Sequence, residues 1–306
     1  MSDCAKVADL NLRCKTWSLL LALLPVFSFG CAVSTKTHVP APEIRTAKDA
    51  TKSDLLAAYN KTAGDIISLN LSVELAPTTG SAYSGVIEQY HRVNAFIIAQ
   101  RPANIRVIGQ DPVFSKNIFD MTSDGEMFHI YIPSKNKFIV GPANYEGTAE
   151  KPIENLRPQH LLDALFWPKI PAAEVVSFRE DEEGDARYYI LTVYRAGKPD
   201  DIDRELWFDR ADLNLARIQI FGAQGFLFSD IWLKDWQPVE SSATAEKPIY
   251  PRDVTVKRPH DDYQLGIKVT KIAINESISA DRFHLAQPAG TDLVEVGNGG
   301  GSAPYD

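Results

Sequence analysis

The sequence predicts an α+β fold, a strongly curved antiparallel sheet of about eleven strands with helices on one side. Two observations point there. Most of the chain from residue 70 to 274 reads as short apolar runs of period two, cut by turn residues. Helical spacing appears in only two stretches, one ahead of the strands and one among them. The composition, 44% hydrophobic and 24% charged over 306 residues, is that of an ordinary globular chain.

The first helix is read from "TKSDLLAAYNKTAGDIISL". Thr51 and Ser53 are cap candidates, and Leu55, Leu56, Tyr59, Ala63 and Ile66 or Ile67 recur at helical spacing. After Ser68 the period changes, and "NLSVEL" places Leu71, Val73 and Leu75 on one face. Strand signals follow in "VIEQYHRV", "AFIIAQRP", "NIRVIG", "NIFDMTSDG", "MFHIYIP" and "KFIVG". Asp124-Gly125 between two apolar runs is a hairpin signal, and "PSKNK" supplies the next turn. "NLRPQHLLDALFWP" breaks the β pattern with a short, very apolar helix stopped by Pro168. Strands resume in "ARYYILTVYR", "DRELWFD", "LARIQIFG", "GFLFSDIWLKDW", "PRDVTVKRP" and "YQLGIKVTKIAI", and "SADRF" closes with a helical turn. Helices over a bent sheet can enclose an apolar space, the place to seek function.

The ends of the chain read differently. Lys6, Arg13 and Lys15 precede an apolar run from Trp17 to Phe29, and small Gly30 then precedes Cys31. That order is a secretory signal, too short to span a bilayer. Gly30-Cys31 also resembles the bacterial lipobox, where the cysteine is acylated before cleavage. Ser28 and Phe29 depart from its usual residues, and an ordinary signal ending near a cysteine is the other reading. Cleavage before Cys31 removes Cys4 and Cys14 and leaves one thiol, which cannot form an internal disulfide. The expected layout is a signal peptide at 1–30, a tether at 31–52 after acylated Cys31, a folded domain at 53–290, and a disordered tail at 291–306. Without the leader the formal charge is 29 − 38 = −9. An acidic chain with no basic patch argues against nucleic acid and against docking on anionic lipid by charge.

The order of elements resembles the lipoprotein localisation family, the LolA/LolB-like carriers and receptors of the bacterial envelope. The residues carrying it are the first helix; "RPANIRVIGQDPVFSKNIFDMTSDGEMFHIYIPSKNKFIVG"; "LRPQHLLDALF"; "ELWFDRADLNLARIQIF"; and "INESISADRFHLAQPAG". The resemblance implies an incomplete β-barrel with an α-helical lid and a cavity for the acyl chains of lipoproteins. It also implies a membrane-contacting loop at "QDPVFSK", where Val113 matches the receptor's exposed leucine and Phe114 replaces its glycine; the other reading is that the two fold back onto the sheet. Strand parity makes Phe128, Ile130 and Ile132, with Ile218 and Ile220, candidates for the cavity wall. Leu161, Leu162, Leu165 and Phe166 form the candidate lid face; Tyr59 and Trp167 read first as packing residues, with a place at the mouth as the other reading. An acylated Cys31 suits an anchored acceptor rather than a mobile carrier. Ala32 is not the aspartate of an inner-membrane retention signal, so the expected location is the outer membrane, facing the periplasm. The expected partners are acyl chains of lipoproteins or free lipid, and a soluble periplasmic carrier as donor.

Other chemistry is not signalled. The chain has no Gly-x-Ser-x-Gly elbow, no His-Glu-x-x-His and no phosphate loop, so no enzyme and no cofactor are expected. "EDEEGD" lacks the alternating oxygens of a calcium loop and reads as a solvated hairpin turn; no metal is expected. His129 and His160 read as structural. A different class stays open: an anchored interaction or sensor module of the same fold, its cavity filled by side chains. "DWQPVESSATAEKPIYP" is then a docking segment or a connector.

Overall fold

The computed structural model describes residues 46–81, 86–145, 156–240 and 247–297. The leader, Cys31, most of the expected tether and the tail beyond 297 lie outside the described residues.

Helix α1 (Lys52–Asp65) begins where the cap signal predicts. Thr51 accepts from the Asp54 amide while the Asp54 carboxylate accepts from the Thr51 amide, a reciprocal capping box. Its buried face is Leu55, Tyr59 and Ala63. Strands β1 (Ser68–Ser81), β2 (Val86–Gln89), β3 (Val93–Gln100), β4 (Asn104–Gln110), β5 (Asn117–Ser123), β6 (Met127–Ile132) and β7 (Lys137–Pro142) follow. Helix α2 (Pro158–Leu165) separates these from β8 (Val176–Glu183), β9 (Ala186–Tyr194), β10 (Ile202–Asp209), β11 (Leu215–Phe221) and β12 (Leu227–Pro238). The chain ends with β13 (Ile249–Arg258), β14 (Tyr263–Ile274), a 3-10 turn at Ala280–Phe283 and β15 (Asp292–Glu295).

All strands join one sheet in the order β15-β7-β6-β5-β4-β3-β1-β14-β13-β12-β11-β10-β9-β8, with β2 pairing on β1. The pairing is antiparallel throughout except for β15 on β7. The two halves of the chain meet along β1 and β14, from Leu69↔Ile274 to Thr79↔Tyr263. The path runs from β15 to β8 without closing.

The sheet wraps around α2. The helix packs on β4 and β5. On its other side, Tyr250 of β13 donates to the Leu165 carbonyl at 2.7 Å, and Tyr263 of β14 shares a 2.6 Å hydrogen bond with His160. Distant strands reach one short helix only if the sheet curves. Leu71, Ile97 and Val107 from one limb and Leu191, Leu206 and Ile231 from the other accordingly share one apolar core with α1 and α2. This is the expected curved, open sheet with its helical lid.

The structure has more strands than the expected eleven, fifteen among the described residues. β8 escapes sequence reading because seven of its eight residues are exposed and mostly charged, leaving no apolar alternation. β15 corrects the expected tail from residue 291. Its backbone pairs in parallel with β7 from Asp292↔Lys137 to Glu295↔Val140, and Val296 packs over Gly141. That partner lies more than 150 residues away, beyond any local signal.

Candidate functional site

The concave face of the sheet and α2 together form the first candidate region. Phe128 and Ile130 of β6 and Ile218 of β11 point into the core and are buried; Ile132 and Ile220 are half-buried against it. Leu161, Leu162, Leu165 and Phe166 are buried on the lid. The nine residues thus belong to one packed apolar mass, with the lid face occupying the trough of the sheet. Among the described residues, open grooves of about 450 and 580 Å³ lie elsewhere, and neither of these is lined by α2.

Polar bonds hold α2 at both ends. At its C-terminal side, Arg101 donates to the carbonyls of Ala63, Ile66 and Trp167, and its guanidinium lies 4.2 Å from the Phe166 ring centre. Tyr59 of α1 donates to the Pro168 carbonyl at 2.8 Å, and burial raises its pKa to about 12. Asn60 exchanges two hydrogen bonds with Ile170. The Trp167 ring stacks on Tyr250 and meets Trp236. Tyr59 and Trp167 are therefore packed rather than at a mouth, as the first of their two readings has it, and tie the lid down.

At the N-terminal side the polar face of α2 carries His160 and Asp163. Burial holds the His160 pKa well below its usual 6.5, reinforced by the charges of Arg258 and Arg157. Packing pushes Asp163 up to about 6, against a 2.9 Å hydrogen bond from Gln159 and the charges of Arg258 and Arg204. Sequence reasoning missed Arg101, Asn60, Tyr250 and Tyr263. None lies on the helical lid, and their common target is visible only once the sheet curves.

The second candidate region is the loop between β4 and β5. The Asp111 carboxylate accepts from the amides of both Val113 and Phe114 at 2.8 Å, and Ser115 turns the chain at φ 54°. Those bonds lower the Asp111 pKa. Val113 is 77% exposed and Phe114 82%, so the pair stands off the sheet at an ordered tip.

Among the described residues, no helix is long and apolar enough to cross a membrane, and no group of three or more histidine, cysteine or acidic side chains gathers as a metal site.

No family model matches the chain, and no curated protein does. Solved structures do. A DUF1329 family protein from Desulfovibrio piger aligns with a TM-score of 0.52 at 11% identity, covering 75% of this chain and 94% of that one. A LolA superfamily protein from Nitrosomonas europaea aligns at 0.46 and 10% identity, covering 78% and 99%. An outer membrane lipoprotein-sorting protein domain from Vibrio parahaemolyticus aligns at 0.47 and 8% identity, covering 74% and 95%. What the chain shares with the Desulfovibrio piger protein is its fold.

Proposed function

We propose that this chain is a non-catalytic lipid-handling protein of the bacterial envelope, anchored through an acylated Cys31 to the outer membrane and facing the periplasm. In this reading it takes acyl chains of lipoproteins or other lipids between α2 and the sheet and aids their delivery to the membrane. The Val113–Phe114 tip is its membrane contact.

The observation that carries the reading is α2. Eight residues are too few for a helix to be stable alone. This one is held by its apolar face in the trough of an open sheet and by polar bonds at its ends. Displacing it bares an apolar wall that matches an acyl chain, for which each sheltered methylene is worth about 0.8 kcal/mol. A donor delivering such cargo, a soluble periplasmic carrier, fits the same scheme.

The packed interior favours a second reading, an anchored interaction module whose core never opens. Lipid titration separates the two. The chain starting at Ala32 is extracted for mass spectrometry, then titrated with a fluorescent fatty acid and a triacylated lipopeptide. Saturable binding is expected. Tyr250→Phe, which frees α2 from one buried bond, should bind more tightly because less of the protein is held closed. No binding by either protein would leave the interaction module.

A further inference from the structure

The apolar tip at Val113 and Phe114 is part of a wider rim. Neighbouring strands alternate in direction along β4-β3-β1-β14-β13-β12-β11, so the C-terminal ends of β4, β1, β13 and β11 lie at one end of the sheet. That end carries two further exposed apolar side chains. Ile87 of β2 is 60% exposed, opposite Gly80 at the end of β1. Phe226 in the β11–β12 turn is 37% exposed.

Observed contacts connect these positions. The Phe226 ring meets His260 of the β13–β14 turn edge-on at 5.5 Å. The Asp262 backbone carbonyl in that turn accepts from the Gly80 amide at 2.9 Å, and Gly80 pairs with Ile87.

We infer that Ile87, Val113, Phe114 and Phe226 form a three-point rim that enters a lipid bilayer, setting the open sheet on end above it. This rests on the membrane-contact reading of Val113 and Phe114 and extends it to two more loops. A bilayer is the occupant because the side chains come from three separate segments, β2 and two turns, instead of lining a groove shaped to one partner. Charges of both signs lie among them, Arg92 and Lys116 with Glu88, Asp111 and Asp262, so no single-sign patch selects anionic lipid or a charged protein. Apolar insertion is left as the driving force.

The test uses the chain starting at Ala32, which keeps every described residue and has no cysteine. Flotation with phosphatidylcholine vesicles should show binding that changes less than twofold when salt is raised or phosphatidylglycerol is added. Ile87→Asp and Phe226→Asp should each weaken it by about tenfold, and Phe96→Asp, on an exposed mid-sheet position, should not. Bimane on Ile87→Cys and Phe226→Cys should be quenched by brominated acyl chains, and bimane on Phe96→Cys should not. If only labels at 113 and 114 are quenched and the two aspartate variants bind normally, the rim is overturned and the single tip stands. If wild type does not float, both fall. Binding that needs phosphatidylglycerol and is lost in salt would overturn apolar insertion.

Discussion

Asp163 and His160 lie within one turn of α2 and respond to acid in opposite directions. Asp163 has its pKa raised from 3.8 to about 6. The folded state therefore holds this proton more tightly than the unfolded chain, and stability falls as pH rises through that window. His160 has its pKa lowered from 6.5, so the unfolded chain takes up its proton first and stability falls as pH drops below 6.5. The two trends oppose each other in mildly acidic solution. Relative to wild type, Asp163→Asn should lose more stability between pH 7 and 5, and His160→Gln should lose less. Denaturant midpoints across that range check both signs, and parallel profiles for the two variants would contradict the assignment. The bond from Tyr250 to the Leu165 carbonyl bears on the same lid, and a buried acceptor left without its donor costs about 1–3 kcal/mol.

At the scale of elements, two hairpins that carry rim loops share a device at their base. Gly109 of β4 lies under the Phe119 ring of β5, and Gly222 lies under the Phe228 ring of β12. A Cβ at Gly109 would come within 2.4 Å of the Phe119 ring, and one at Gly222 within 2.4 Å of Phe228. The missing side chain is what lets each aromatic lie across its strand pair. Gly109→Ala should cost about 1–3 kcal/mol through overpacking, and much less in a Phe119→Ala background. A thermal-denaturation double-mutant cycle with additive effects would show that the pair does not interact. The outermost strands solve a different problem. β7 is covered by β15, and on the exposed, charged β8 the Lys52 ammonium bonds the Val176 carbonyl. Acidic side chains on such an edge discourage pairing with another chain. Period-two alternation made the inner strands readable from sequence, whereas β8, with no buried face, has none.

At the scale of the whole molecule, the rim and the start of the domain are at opposite ends. Lys48 donates its amide to the Arg210 carbonyl, and Asp49 pairs with Arg210, in the turn after β10. By strand alternation that turn is at the end away from the rim. In the chain starting at Ala32, bimane on Asp212→Cys, in that turn, should then escape quenching by brominated acyl chains that reach the rim, and equal quenching would count against this orientation.

The sequence by itself determined the local pieces: the capped α1, the short apolar α2 stopped before Pro168, the Asp124-Gly125 hairpin, and the parity that turns Phe128, Ile130 and Ile218 inward. Each follows from chemistry within a few residues. Only the tertiary structure decided that β1 and β14 join the two halves, that β15 lies beside β7, that Val113 and Phe114 stand free, and that the lid face is buried against the sheet. Those outcomes depend on which distant surfaces meet and how much volume lies between them. An alternating strand looks the same whether its apolar face lines a space or is packed shut, because the difference lies in the partner.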